Sequence, residues 1–329
     1  MKQSLLGLDI GGTKCAVIYG EAEGDKLNII GKAGFPTETS RGLDHTLEAI
    51  FRHIDLILDK HKLSAKKIGA LGISCGGPLD SRSGMVMSPP NLPGWDNVPL
   101  VSLITSKYGF PAAIQNDANA CALAEWKFGA GRGTGNMIFM TFGTGMGAGL
   151  IIDGRLYAGT NDMAGEVGHI RLAETGPVGY GKAGSFEGFC SGGGIAQVAR
   201  TMIMEKFQMG ETVGFCKSNE ELNNISAQIV AEAATKGDDL ALSIYRTSGE
   251  YLGRGLSILI DILNPQVIVI GSIFSRSKEL LEPYAMEIIR KEALSHSRNV
   301  CRIVPAVLGE DLGDYAALSV AADLLKQQA

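Results

Sequence analysis

The sequence is short of several features that would each have named a class of protein. No apolar run approaches the length of a membrane span, and Met1 to Leu6 is too short for a signal peptide, so neither a membrane partner nor export is expected. No CxxC spacing occurs. The six cysteines (15, 75, 121, 190, 216 and 301) are scattered, and they read as reduced, mostly buried thiols of a cytoplasmic protein. Positive charge is not in excess: the net charge of −5 speaks against nucleic acid or an acidic membrane surface as partner. Low-complexity runs are also missing. The 44 glycines fall in turns, which implies many tight turns rather than disorder. What remains is 329 residues, 45% hydrophobic and 20% charged, enough for two domains and a large core.

The most informative segments are two glycine turns about 130 residues apart, Asp9-Ile10-Gly11-Gly12-Thr13-Lys14 and Thr141-Phe142-Gly143-Thr144-Gly145-Met146-Gly147. Each follows an apolar strand and runs into another, Cys15 to Tyr19 and Ala148 to Ile152. Glycine lets backbone N–H groups approach an anion with no Cβ in the way, and threonine adds a hydroxyl donor. A duplicated turn of this kind suggests two lobes gripping one polyphosphate, so nucleotide chemistry is the first expectation.

Around the turns, strand and helix signals alternate. Leu5–Asp9, Ala16–Tyr19 and Leu27–Lys32 read as a meander. Leu43–Lys62 carries Leu43, Leu47, Ile50, Ile54, Ile57 and Leu58 at helical spacing. Ile68–Ser74 is a short strand broken at Gly76-Gly77-Pro78, Ala112–Ile114 another, and Ala118–Phe128 a helix entered from Asn116-Asp117. A second meander spans Asn136 to Ala158, with helices expected at Gly193–Phe207, Ser226–Lys236 and Asp238–Leu263. Gln266–Ile270 looks like a fully buried parallel strand. A helix over 277–294, a strand over 301–307 and a helix over 313–327 close the chain. The meander-plus-βα pattern occurs twice, which predicts two α/β domains with a cleft between them. The expected boundary lies near Ile114: residues 1–114 with the last helix, about 313–329, against 115–312.

Phosphoryl transfer is mostly positioning and charge neutralisation, plus one base to take a proton from the acceptor. Asp9, ending the first strand, is placed to hold Mg²⁺ directly or through water, and Lys14 to neutralise phosphate. The plainer reading is a hairpin whose Asp and Gly only shape the turn. Asn116-Asp117-Ala118-Asn119 stands where a strand enters a helix, so Asn or Asp there could simply be an N-cap. The functional alternative is Asp117 as general base with Asn116 on sugar hydroxyls. Composition does not choose between these.

Taken together, Leu8 to Lys14, Asn116 to Ala120 with Ala124-Glu125, Gly143 to Gly149, and Ala164-Gly165-Glu166-Val167-Gly168-His169 resemble the ROK family of sugar kinases. This family lies within the actin–hexokinase superfamily, and its glucokinase-like members are the most similar. The segments run the length of the chain in the family's order. The resemblance implies two actin-like (ribonuclease H-like) α/β domains with an interdomain cleft, a homodimer, and ATP-dependent phosphorylation of a hexose with Mg²⁺.

Residue by residue, it implies that Asp9, Gly11, Gly12, Thr13 and Lys14 form the first phosphate turn and Thr144 with Gly145 the second, with Gly271 beside the adenosine. Asp117 would deprotonate the attacking hydroxyl. Asn116, Glu166, His169 and Glu187 would hold the other hydroxyls, with Gly77 and Asn91 on the opposite wall. Carboxylates and amides suit such a ring of hydroxyls, because they bind them by paired hydrogen bonds. Asn91 lies in Pro90-Asn91-Leu92-Pro93-Gly94-Trp95, similar to a stretch of the glucokinase-like branch, which favours O6 of glucose or a similar aldohexose. N-acetylhexosamine and fructose are the alternatives.

The chain departs from the family in two places. Many members carry a Cys-x-Cys-Gly-x-x-Gly-Cys-x-Glu loop that binds a structural zinc with the His of the Gly-His pair. Here the cysteine positions are Val178, Tyr180 and Ser185, so no zinc is expected, and packing by Tyr180 and Phe186 is expected to order the loop. The second departure is Gly271-Ser272-Ile273, where the family more often has a glycine run. ROK relatives also include sugar-responsive repressors with a helix-turn-helix domain ahead of the first turn. That turn begins nine residues from Met1 here, so a DNA-binding regulator is not expected. A non-catalytic sugar sensor would be marked by loss of Asp117, Asp9 or Gly143–Gly145, all of which are present.

Overall fold

A computed structural model describes residues 2–143 and 145–328. In chain order the strands and helices begin with β1 (Gln3–Ile10), β2 (Lys14–Glu23), β3 (Lys26–Pro36), α1 (Leu43–Lys60) and β4 (Ile68–Cys75). A small hairpin of β5 (Leu79–Asp80) and β6 (Met85–Val86) follows, then α2 (Leu100–Tyr108), β7 (Ala112–Asn116) and α3 (Asp117–Phe128). Next come β8 (Met137–Phe142), β9 (Met146–Ile152), β10 (Arg155–Tyr157), the hairpin β11 (Val178–Gly179) and β12 (Lys182–Ala183), α4 (Phe186–Cys190) and α5 (Gly192–Gln208). The chain ends with α6 (Ala227–Thr235), α7 (Asp239–Leu263), β13 (Val267–Ile270), α8 (Ile273–Glu292), α9 (Ser295–Val300), β14 (Arg302–Pro305) and α10 (Leu312–Gln328). These elements group into two compact units, Met1–Gly135 with Gly149–Ala164 and Val307–Ala329, and Asn136–Ala148 with Gly165–Ala306.

The first unit is built on a sheet ordered β3-β2-β1-β4-β7. β1, β2 and β3 pair antiparallel through short turns, while β1–β4 and β4–β7 are parallel and need helical crossovers. Side chains alternate across the strands, so each face buries its own set. Leu6, Leu8, Ile10, Val17 and Tyr19 pack with the stripe Ile50, Ile54 and Ile57 of α1. Leu5, Ala16 and Ile18 pack instead with Ala317, Leu318 and Ala321 of α10. That second contact is close because Gly72 has no side chain: a Cβ there would lie 2.2 Å from the Ala317 carbonyl oxygen.

In the second unit β13 lies between β8 and β14, all parallel, with Val267–Ile270 aligned on Met137–Met140 and on Arg302–Pro305. All four residues of β13 are buried, which is why the strand reads as an unbroken apolar run. Of β9, Met146–Ala148 belong to this unit; the rest, and its antiparallel partner β10, belong to the first.

Several elements differ from the sequence reading, among them the hairpin of β5 and β6 and the short helices α4 and α9, which were not anticipated. Helix α2 was not anticipated, because it hides behind a Pro-rich loop and starts directly after Pro99. Helix α8 begins at Ile273 rather than 277; Ser277 has non-helical angles (φ −122, ψ 27), so the periodic signal belonged to the segment after the kink. The hairpin of β11 and β12 was read as loop. Its strands have two residues each, too few to alternate visibly.

Candidate active site

Within the first unit the predicted residues converge. The turn between β1 and β2 is closed by the Gly11 amide donating to the Lys14 carbonyl at 3.0 Å. Thr37 holds it from outside, its hydroxyl donating to the Gly11 carbonyl at 2.6 Å and its amide to the Thr13 carbonyl at 3.0 Å. Thr13 and Lys14 are exposed. The turn tip meets Asn91: a Cβ on Gly12 would lie 2.7 Å from the Asn91 carbonyl oxygen. Asn91 is held up by its neighbours Leu92 and Trp95, both buried in the core. Its side-chain amide in turn lies 3.2 Å from a Cβ position on Gly76, and Asn116 Nδ2 lies 3.1 Å from one on Gly77. Gly12, Asn91, Gly76-Gly77 and Asn116 therefore form one run of close contacts, with Asp117 next in the chain.

Asn116 does cap α3, accepting from the Ala118 amide through Oδ1 at 2.9 Å. Its Nδ2 remains as a donor. Asp117 Oδ1 accepts from the same amide at 2.8 Å, so the carboxyl is anchored on one oxygen at the positive end of the helix. Asp117 is reached by solvent, yet much protein surrounds it, and this desolvation raises its carboxyl above the ordinary range against the pull of the Ala118 hydrogen bond. Asp9 is pushed up to about 6, first by burial and then by the carboxylates of Asp314 and Asp117; Lys32 and a hydrogen bond from Ser74 act the other way.

Asp314 is a member that sequence reasoning missed. It is 4% exposed at the start of α10, its two oxygens 2.7 and 2.8 Å from Lys32 Nζ, and the preceding Gly313 abuts Asp9. The partners are 282 positions apart, so no local pattern could have shown the pair. Asp314 and Asp117 both lie within electrostatic reach of Asp9, and such a gathering of carboxylates is what a divalent cation would relieve. Among the described residues no group of three His, Cys, Asp or Glu is placed to bind one directly. The donor set thus fits an ion carried by water and nucleotide phosphates.

The second unit gathers its own set. Gly143 donates to the Gly145 carbonyl at 3.1 Å and accepts from the Gly192 amide at 2.7 Å, which ties the turn to the N-terminus of α5. Thr144 lies outside the described residues. Glu187 Oε2 accepts from the Met146 amide at 2.9 Å, and a Cβ on Gly145 would lie 3.1 Å from that oxygen. Glu187 is therefore part of the second turn's frame. Glu166 is exposed and precedes the 3₁₀ turn Val167–His169, whose last residue donates its amide to the Glu166 carbonyl at 3.1 Å.

The hairpin at 178–183 explains how this loop is ordered. Tyr180 and Gly181 both have positive φ (44 and 76), as a two-residue type I′ turn requires. Val178 pairs with Ala183 and is further held by the Gln197 side chain, while Ser185 caps α4 by accepting from Gly188 at 3.0 Å. The Tyr180 ring stands edge-on to His169 at 5.3 Å, and Lys182 Nζ donates to the His169 carbonyl at 2.7 Å. Phe186, fully buried, fills the space over Gly255. A strand valine, a turn tyrosine and a capping serine offer no thiolate, so this donor set does not fit a Cys₃His zinc.

A pocket of about 960 Å³ opens beside the second turn, lined by Gly143, Gly192, Ser272, Ile273, Arg276 and Tyr245 among others. Gly271 itself is buried behind it, its amide donating to the Met140 carbonyl at 3.0 Å. The wall is Ser272, at φ 54, with Arg276 donating to its hydroxyl at 3.3 Å. The first amides of a helix, glycine approach and the apolar side chains of Ile273, Ala227 and Ala231 suit a nucleotide.

Comparison with known proteins fits this geometry. The model of the ROK family matches residues 5–328. A glucokinase of Streptomyces coelicolor is 32% identical over 327 residues, 98% of this chain and 97% of the relative. The DNA-binding transcriptional repressor Mlc of Escherichia coli is 30% identical over 250 residues, 75% of this chain but 59% of the repressor. Among solved structures, a ROK family glucokinase from Streptomyces griseus in complex with glucose and AMPPNP superposes with a TM-score of 0.74 at 27% identity, covering 97% of this chain and 99% of that one.

Proposed function

We propose that the acceptor for this chain, which belongs to the ROK family and is an ATP-dependent sugar kinase, is the O6 hydroxyl of glucose or of a similar aldohexose. The observation that carries the reading is Asp117: an accessible carboxyl, anchored through one oxygen, with its affinity for a proton raised. A base is most effective when its pKa lies close to the working pH, and the raised value moves Asp117 in that direction. In the proposed reaction the O6 proton passes to the Asp117 carboxylate. O6 then bonds to the γ-phosphorus, and the bond from that phosphorus to the β–γ bridging oxygen breaks, releasing ADP.

The remaining roles are proposals of the same kind. Asn116 Nδ2 and Asn91 offer amide groups to the sugar hydroxyls, and Glu166, His169 and Glu187 offer carboxylate and imidazole groups. Gly11, Gly12, Thr13 and Lys14, with Gly145, receive phosphate; the pocket walled by Ser272 and Ile273 takes the adenosine. Mg²⁺ bound with the nucleotide supplies charge neutralisation, and Asp9 with Asp314 are the residues that would face it.

A hexose panel with ATP and Mg²⁺, read by coupled ADP release, tests this reading. Glucose is expected to give the highest kcat/KM. Greater turnover with an N-acetylhexosamine or fructose would move the substrate, and no ADP release with any sugar would leave the sensor reading that the Mlc likeness keeps open.

Asp9 adds a pH prediction. Its carboxyl holds a proton below about 6, so kcat/KM for MgATP is expected to fall about tenfold per unit as pH drops below that value. Asp9→Asn should flatten that limb. The stability sign is opposite to that of a paired carboxylate: a raised folded-state pKa favours the fold at low pH, and this contribution is lost as pH rises through 6. Asp9→Asn should therefore be at least as stable as wild type at pH 7.5. A limb unchanged in Asp9→Asn would assign the titration elsewhere.

A further inference from the structure

The first unit holds a second recess, of about 970 Å³, at the ends of α3 and α10 remote from Asp117 and Asp314. Its lining includes Trp126, half-buried, with the edge of its ring fixed by Nε1 donating to the Thr134 carbonyl at 2.7 Å. Two ammonium groups, Lys127 and Lys326, each stand 5.9 Å from that ring's centroid, and Arg132 also lines the recess. In a chain of net charge −5, three cations gather at one recess, two of them over its indole ring.

Ordinary structural roles account for only one of the three. Lys127 is partly buried and pairs with Asp323 at 2.6 Å. Arg132 and Lys326 are exposed and make no ion pair with a described residue; the one carboxylate in the lining, Asp25, pairs with neither. Unpaired cations in a concave site attract an anion, and a guanidinium offers the forked donors that fit phosphate oxygens. The indole in the same lining asks for a flat or C–H-rich ring, since aromatic faces bind such surfaces well. A volume near 1,000 Å³ accommodates a small ligand with room for water.

We propose that this recess binds a phosphate monoester of a ring compound, with phosphate on Arg132 and Lys326 and the ring on Trp126. A sugar phosphate and a nucleoside monophosphate share that chemistry. None of the residues involved belongs to the kinase machinery above, so the proposal is independent of the acceptor assigned there.

The test is calorimetric titration of the full chain with glucose 6-phosphate and with AMP, alongside glucose and inorganic phosphate. One of the two esters is expected to bind in a way that weakens about tenfold or more in the double variant Arg132→Ala with Lys326→Ala, and also in Trp126→Leu. The double variant changes only exposed side chains and should keep its kcat for hexose. Whichever ester shows that dependence identifies the source. Affinities unchanged in both variants would place any bound ester at the active site and overturn the proposal. So would inorganic phosphate binding as tightly as the esters, or no binding of either ester.

Discussion

Asp117→Asn is expected to lower kcat by about 10²- to 10⁴-fold, the range that a positioned general base supplies. The substitution is unusually clean. Asn keeps an Oδ1 that can accept from Ala118, and Asn116 caps the same amide independently, so α3 should start where it does now. Folding stability should not fall either. Burial raises the folded-state pKa of Asp117, so at neutral pH the ionised group disfavours the fold, and removing its charge relieves that cost. Loss of turnover with an intact thermal transition and nearly unchanged KM values would mark a group that acts in the transition state. A variant retaining half the wild-type rate would remove Asp117 from the base role, and the acceptor assignment with it.

Much of this site was legible because its parts are local. A glycine turn between two apolar strands is written in about ten consecutive residues, and so is the passage from β7 through Asn116-Asp117 into α3. The apolar stripe of α1 and the buried run of β13 were readable for the same reason: each is a period or a run within one element. Even so, the sequence left Asn116 undecided between capping and binding, and the structure shows that the first does not exclude the second. One of its amide atoms caps, and the other stays available.

What escaped depends on partners distant in sequence. The Lys32–Asp314 pair beside Asp9 joins β3 to α10, and the pocket beside the second turn draws on α5, α6, α7 and α8. The loop without cysteines shows a third kind of limit. Tyr180 was expected to order it by packing, but it is 74% exposed; its left-handed backbone makes the turn, and its ring stands edge-on to His169. Phe186 is the buried anchor. A residue type alone did not separate the two jobs.

Glu125 is the sharpest case of a residue whose presence was noted in the sequence and whose role came only with coordinates, and its removal should have the largest effect on stability. It is fully buried, and its carboxyl accepts three backbone amides: Ala130 at 2.8 Å, Val307 at 2.9 Å and Leu308 at 3.0 Å. Gly129 must be glycine for this, since a Cβ there would sit 2.0 Å from Oε2. Glu125→Ala leaves all three donors without a partner. At about 1–3 kcal/mol for each unsatisfied buried group, discounted for water entering the gap, the expected loss is about 3–6 kcal/mol. Glu125→Gln keeps the shape but turns one acceptor into a donor facing N–H groups, so it should fall between the two. Because Val307 and Leu308 begin the segment that leads into α10, loosening them also frees the helix that carries Asp314 towards Asp9. The KM for MgATP should therefore rise in Glu125→Gln while the hexose KM changes less. Urea unfolding of the three proteins, with steady-state kinetics on those that fold, measures both effects. An alanine variant unfolding at the wild-type midpoint would show that water satisfies these amides equally well, and that the clamp holds nothing in place.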